Sequence, residues 1–169
     1  HIIGKVLPPT LAVTTIGLDQ RNPATYFVAG IASGTSHLYR TKTFGQTFQE
    51  IYPTPSNQIL VPSVAVDPSN SSQVYLGTNG SGLFLTSKDF GTHWGEPQHT
   101  FNSAVRSIVV NYGHPDEVFV LTDNGLWRSQ NRGEQWEQLA RDQIGYLLSS
   151  GGRLAIDPLD SRVLYLAAA

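Results

Sequence analysis

The sequence has 169 residues, 40% of them hydrophobic and only 14% charged, with 16 Gly, 10 Pro and no Cys. This composition suits one turn-rich β domain, or a piece of one, and argues against a disordered chain; the lack of Cys removes disulfides, thiolate metal sites and a Cys nucleophile. A formal net charge of -2 offers no basic field to nucleic acid, and no apolar run reaches the roughly 20 residues of a membrane-spanning helix.

The chain opens with His1-Ile2-Ile3-Gly4-Lys5-Val6-Leu7 ahead of Pro8-Pro9, which reads as the closing strand of a preceding unit. With His1 first and no Met anywhere, a native start, signal or lipid anchor ahead of it is left open. From Ile16 onward two patterns recur in phase. The first is an apolar segment ending in Asp or Asn: Ile16-Gly17-Leu18-Asp19, Val64-Ala65-Val66-Asp67, Ile108-Val109-Val110-Asn111 and Leu154-Ala155-Ile156-Asp157. Its copies lie 48, 44 and 46 residues apart. A Pro/Asn/Asp turn and a second apolar strand follow each copy, at Tyr26-Ala29, Val74-Leu76, Val118-Leu121 and Val163-Leu166. Two middle hairpins then close on Asn79-Gly80-Ser81-Gly82 and Asp123-Asn124-Gly125.

The second pattern comes after the third strand: Thr41-Lys42-Thr43-Phe44-Gly45-Gln46-Thr47-Phe48, Ser87-Lys88-Asp89-Phe90-Gly91-Thr92-His93-Trp94 and Ser129-Gln130-Asn131-Arg132-Gly133-Glu134-Gln135-Trp136. Their starts are 46 and 42 residues apart. Last strands are expected near Phe48-Ile51, Trp94-Gly95 and Trp136-Leu139. A period of about 45 residues is the length of a four-stranded propeller blade. No stretch has a sustained helical period, so the fold class is all-β: a β-propeller segment of about three and a half blades, an incomplete ring. The blades are expected at 12–54, 60–98, 104–140 and 152–169, the last incomplete. Strands one and two are nearly all apolar, as expected of blades covered on both faces.

The second pattern resembles the Asp-box, or bacterial neuraminidase (BNR), repeat, roughly S-x-D-x-G-x-x-W. Ser87, Asp89, Gly91 and Trp94 match it throughout; Ser129, Asn131, Gly133 and Trp136 replace the Asp by Asn; Thr41, Thr43, Gly45 and Phe48 follow it loosely. In such a turn the carboxylate or amide accepts backbone N–H bonds, Gly supplies the open backbone angle, and the aromatic ring clamps the turn onto the blade. The box is thus read as a folding device. The resemblance implies a fold shared by sialidases, xyloglucan-cleaving glycosidases, sortilin-type receptors and photosystem assembly factors, so the site must decide the function.

No site stands out. A sialidase needs an Arg cluster, and none of the eight Arg lies in that family's Arg-Ile-Pro type of motif. An inverting glycosidase needs two carboxylates roughly 6.5 to 9.5 Å apart. Asp19, Asp67 and Asp157 recur at one repeat position, which marks turn formers. Carboxylates that break the repeat, Glu96, Asp116, Glu117, Asp142 and Asp160, read first as loop charges. His1, His37, His93, His99 and His114 have no metal-ligand spacing. The sequons Asn70-Ser71-Ser72 and Asn79-Gly80-Ser81 read as turns, and no helix follows Gly80 and Gly82 to make a phosphate loop.

The expectation is therefore a non-catalytic interaction platform with no cofactor or metal, an accessory subunit or assembly factor docked on a larger complex outside the cytoplasm. Its half blade, open after Ala169, calls for a protein partner or further blades of its own chain. The alternative is a fragment of a secreted glycoside hydrolase or carbohydrate-binding propeller, in which Trp127 or Tyr112 stacks on sugars; Trp127 reads rather as core, since it sits where Phe84 and Tyr39 sit.

Overall fold

The computed structural model describes residues 6–53, 61, 63–140 and 152–168. Its strands are β1 (Ala12–Leu18), β2 (Tyr26–Ala32), β3 (Thr35–Thr41), β4 (Gln49–Pro53), β5 (Ser63–Asp67), β6 (Asn70–Gly77), β7 (Leu83–Ser87), β8 (His99–Thr100), β9 (Val105–Val110), β10 (Val118–Thr122), β11 (Gly125–Ser129), β12 (Glu137–Ala140), β13 (Gly152–Ile156) and β14 (Leu164–Ala168). They form three four-stranded antiparallel meanders, β1 to β4, β5 to β8 and β9 to β12, and the pair β13-β14. The register repeats: Val28 faces Tyr39, Leu76 faces Leu85 and Val120 faces Trp127.

The first strands β1, β5, β9 and β13 stand side by side in chain order, and the later strands of each meander succeed them outward. This is the arrangement of propeller blades, and the molecule is an incomplete set of them. Hydroxyls join neighbouring first strands. Ser63 Oγ accepts from Ile108 N–H at 2.8 Å, and Ser107 Oγ accepts from Leu154 N–H at 3.2 Å. On the first sheet Thr14 Oγ1 donates to Val61 O at 3.1 Å.

The core is divided among the joints between sheets. Phe27, Leu38 and Ile51 meet Val64, Val74 and Leu76 in the first joint. Tyr75, Phe84 and Phe101 meet Val105, Ile108 and Val118 in the second. Phe119 and Leu121 meet Leu154 in the third, with Leu126, Leu164 and Leu166 packed around them. Each large apolar side chain so covered stabilises the fold by about 1.5–3 kcal/mol, so the joints, rather than the isolated sheets, hold the molecule.

Three sequence expectations shift. β10 is buried throughout, but Ile16 and Leu18 of β1 are 57% and 64% exposed, because among the described residues β1 has a neighbouring sheet on one side only. In the second sheet the closing strand is not at Trp94-Gly95 but is the short β8. Gly95 N–H and Gln98 N–H donate to Thr86 O and Phe84 O, and the intervening Pro97 has no N–H with which to continue the ladder. His1 to Lys5 lie outside the described residues. Val6 and Leu7 are not in a strand; Leu7 packs with Leu11 beside Val28, Tyr39 and Phe48.

Candidate functional site

All three boxes fold by one set of bonds. Ser87 Oγ accepts from Asp89 N–H (3.3 Å) and Gly91 N–H (2.8 Å) and donates to Asp89 Oδ1 (2.8 Å), which accepts from His93 N–H (2.9 Å). Ser129 Oγ likewise accepts from Asn131 N–H (3.3 Å) and Gly133 N–H (2.8 Å), and Asn131 Oδ1 accepts from Gln135 N–H (2.9 Å). In the first box Thr41 Oγ1 accepts from Thr43 and Gly45, and Thr43 Oγ1 accepts from Thr47 N–H. Carboxylate, amide and hydroxyl therefore do the same job, which needs a lone pair and no charge. Each box also carries two successive residues at positive φ: Phe44 and Gly45, Phe90 and Gly91, Arg132 and Gly133.

The box aromatics work mainly at the joints. Trp136 Nε1 donates to Gly133 O at 3.0 Å, while its ring stands edge-on to Phe84 and Phe101 of the preceding repeat, 5.0 and 5.1 Å away. Trp94 packs against the first-joint core. Phe48, in the first sheet, stays with its own Tyr26, 6.0 Å away. The ring that the sequence reading placed on its own blade thus seals two blades together wherever a blade precedes it.

The four repeated turn residues act alike. Oδ1 accepts the backbone N–H groups of Arg21 and Asn22 at Asp19, of Ser69 and Asn70 at Asp67, of Gly113 and His114 at Asn111, and of Leu159 and Asp160 at Asp157. These bonds hold the Asp157 carboxyl below the ordinary carboxylate range, helped by the Tyr165 hydroxyl. The other oxygens differ. Asp67 Oδ2 meets Arg132 at 2.6 Å, whereas the buried Asp19 Oδ2 has no hydrogen-bond partner among the described residues.

Of the acids outside the repeat, Asp116 accepts from Arg132 Nε at 2.6 Å, and Glu117 accepts from Arg128 Nε at 2.6 Å and from Asn111 Nδ2. Asp160 takes both Nε and Nη2 of Arg162, at 2.9 and 2.8 Å, which holds its carboxyl low and ionised, the wrong form for a general acid. Glu96 is exposed beside Asp89, His93 and Trp94, and Asp142 lies outside the described residues. Trp127 is at the second joint, its Nε1 donating to Thr122 Oγ1 and its ring 5.4 Å from Phe101; Tyr112 is 60% exposed. Among the described residues no three His, Asp or Glu side chains gather as a metal would require.

One hollow, of about 680 Å³, opens where the third sheet meets β13-β14. Its lining combines the apolar Phe119, Leu139 and Leu164 with the charged Arg128, Glu117 and Arg162. Neither it nor the cross-joint bonds of Arg40 and Arg132 was expected from sequence. Arg40 Nη1 donates to Phe90 O (2.7 Å) and Thr92 Oγ1 (3.2 Å) of the next box.

Comparison with known proteins agrees with this architecture. The model of the BNR-Asp box repeat matches residues 126–139. Sortilin of Rattus norvegicus is 28% identical over 116 residues, 64% of this chain, and the chain spans 14% of sortilin's length. A GH74 enzyme of Niastella koreensis superposes with a TM-score of 0.71 at 19% identity, over 93% of this chain and 26% of its own. YCF48 bound to D1 peptide superposes with a TM-score of 0.63 at 18% identity, over 89% of this chain and 48% of its own. These two structures speak to the fold alone.

Proposed function

Because this chain belongs to the Asp-box (BNR) repeat β-propellers, we propose that it is a non-catalytic interaction platform, an accessory subunit or assembly factor docked on a larger complex outside the cytoplasm. The observation that carries this reading is the engagement of the acids. Asp19, Asp67 and Asp157 hold turns, Asp89 holds a box, and Asp116, Glu117 and Asp160 are bound by arginines. Hydrolysis of a glycoside needs one carboxyl kept protonated opposite a second kept ionised, and this pattern favours the ionised form and supports no protonated partner. The hollow at the third joint, part apolar and part charged, has the mixed character of a protein-binding surface. The peptide-bound neighbour shows a related fold in that use, and the extracytoplasmic placement follows the sortilin similarity.

The test is to incubate the protein with xyloglucan and related β-glucan oligosaccharides and follow new reducing ends, for the parent chain and for Glu96→Gln and Asp160→Asn. No release in any of them is expected. Turnover by the parent chain that either variant abolishes would replace the platform with a glycoside hydrolase.

A further inference from the structure

An Asn followed by Gly is open to attack by its own backbone, because the next residue has no Cβ to crowd the approach of its nitrogen to the Asn side chain. The chain contains two such pairs, Asn79-Gly80 and Asn124-Gly125, each in the middle hairpin of a blade. The same reactive dipeptide thus stands in two settings, and the settings differ.

The β10-β11 hairpin is tight. Its ladder runs up to the pair Thr122 and Gly125, which leaves Asp123 and Asn124 as the whole turn. Gly125 is buried and opens β11. Asn124 is tied back as well: its Oδ1 accepts from Thr122 Oγ1 at 2.6 Å, and its backbone carbonyl accepts from Gln138 Nε2 at 3.0 Å. Bringing the Gly125 nitrogen onto Asn124 Cγ requires this hairpin to open first.

The β6-β7 hairpin is looser. Its ladder ends at Gly77 and Phe84. The buried Thr78 then anchors the base: its N–H donates to Leu83 O (3.1 Å), its Oγ1 accepts from Leu83 N–H (2.9 Å), and its carbonyl accepts from Val105 N–H of the next sheet (2.9 Å). Beyond that base the chain turns back through a bond from Gly82 N–H to Asn79 O (3.3 Å), so the turn is closed by an amide other than that of Gly80. Gly80 and Ser81 are exposed, and a Cβ built on Gly80 would meet nothing within 4 Å. Two glycines at positive φ, Gly80 and Gly82, give this tip the backbone freedom that a ring closure needs.

We propose that Asn79 is a site of spontaneous deamidation in the folded protein, and that the fold spares Asn124. The Gly80 nitrogen loses its proton to solvent and attacks Asn79 Cγ. The new N–C bond closes a cyclic imide, the Cγ–Nδ2 bond breaks, and that nitrogen leaves as ammonia. Water then opens the imide at either carbonyl. One opening gives aspartate; the other gives isoaspartate, whose main chain runs through Cβ and Cγ. Either product turns a neutral side chain into an anion on the face that carries the middle hairpin turns. Isoaspartate also lengthens the main chain next to Thr78, whose carbonyl holds Val105. The change is slow and one-way, and it needs water alone as co-reactant.

The 169-residue protein is held at mildly alkaline pH, once folded and once in concentrated urea, and peptides spanning 79–80 and 124–125 are followed by mass over time. Each folded rate is divided by the rate of the same pair in urea, which removes the influence of neighbouring residues. Asn79 should keep a folded rate within a few-fold of its unfolded one, while Asn124 slows many-fold and isoaspartate accumulates at position 79. Asn79→Gln should abolish that product and leave the rate at Asn124 unchanged. Equal slowing of the two pairs on folding would overturn the proposal, as would faster conversion of Asn124 in the folded protein.

Discussion

Arg132 of the third box reaches back across a joint to Asp67, its Nη1 lying 2.6 Å from Oδ2 of a carboxylate that is fully buried. The same guanidinium binds Asp116 of its own sheet through Nε, so one side chain ties the turns of two blades. Arg132→Ala is expected to destabilise the chain by about 2–3 kcal/mol, near the lower end for breaking a buried pair because Arg132 is itself partly open to water. A urea titration checks it. With Asp67→Asn in the background the same change should cost less than about 1 kcal/mol, and an undiminished cost would show that packing, not the ion pair, matters.

Ser63 and Ser107 each stand four residues before a turn residue, Asp67 and Asn111, and each caps a buried N–H of the next first strand. Replacing either by Ala leaves that N–H without a partner, a loss of about 1–3 kcal/mol. The denaturation midpoint should fall with the slope unchanged, because the compactness of both end states is kept. A midpoint within error of the parent would mean that another acceptor takes over.

What could be read from the sequence and what could not divide along the range of the interactions. The boxes were legible because Ser87, Asp89 and Gly91 bond to one another within four residues, and the turn acids because an Asx turn is equally local. The joints were not. Arg40 meets Phe90 and Arg132 meets Asp67 across 50 and 65 residues, and only the register of whole sheets brings them together. A trace was nonetheless present: the serines recur in phase, and Arg132 stands where the other boxes have Phe44 and Phe90. The short β8 was hidden by Pro97, which moves the pairing downstream of the expected strand.

In acid, the second box should differ from the third. The Asp89 carboxyl is held well below its ordinary range, first by the backbone N–H of His93, then by the His93 ring and the Ser87 hydroxyl. A depressed carboxyl contributes stability that is complete above its unfolded value, about pH 4, and is lost as the pH falls below it. Asp89→Asn keeps the accepting oxygen, as Asn131 does in the third box, but cannot titrate. The variant should therefore be less stable than the parent near neutrality and less sensitive to acid between about pH 4 and pH 2, so that the two converge in acid. Parallel curves through that window would mean that the charge on Asp89 contributes nothing.

Asp19 is the counterpart of Asp67 without its arginine. Its Oδ1 is engaged by the turn and by Ser71 Oγ at 2.9 Å, while Oδ2 is buried and unbonded among the described residues. The residue that would supply the missing cation is Phe90, the fourth of its box as Arg132 is the fourth of the next, at a closely similar φ of 62° against 59°. Phe90→Arg should place a guanidinium on Asp19 as Arg132 lies on Asp67. An unmet buried acceptor costs about 1–3 kcal/mol, and the exchange gives up the contact of the Lys42 ammonium, 4.6 Å from the Phe90 ring, worth about 0.5–1 kcal/mol. The net expectation is a gain of about 1 kcal/mol in urea unfolding. That gain must disappear when Asp19 is also changed to Asn, since only the charge on Asp19 gives the new arginine its partner; a gain that survives Asp19→Asn would place its origin elsewhere.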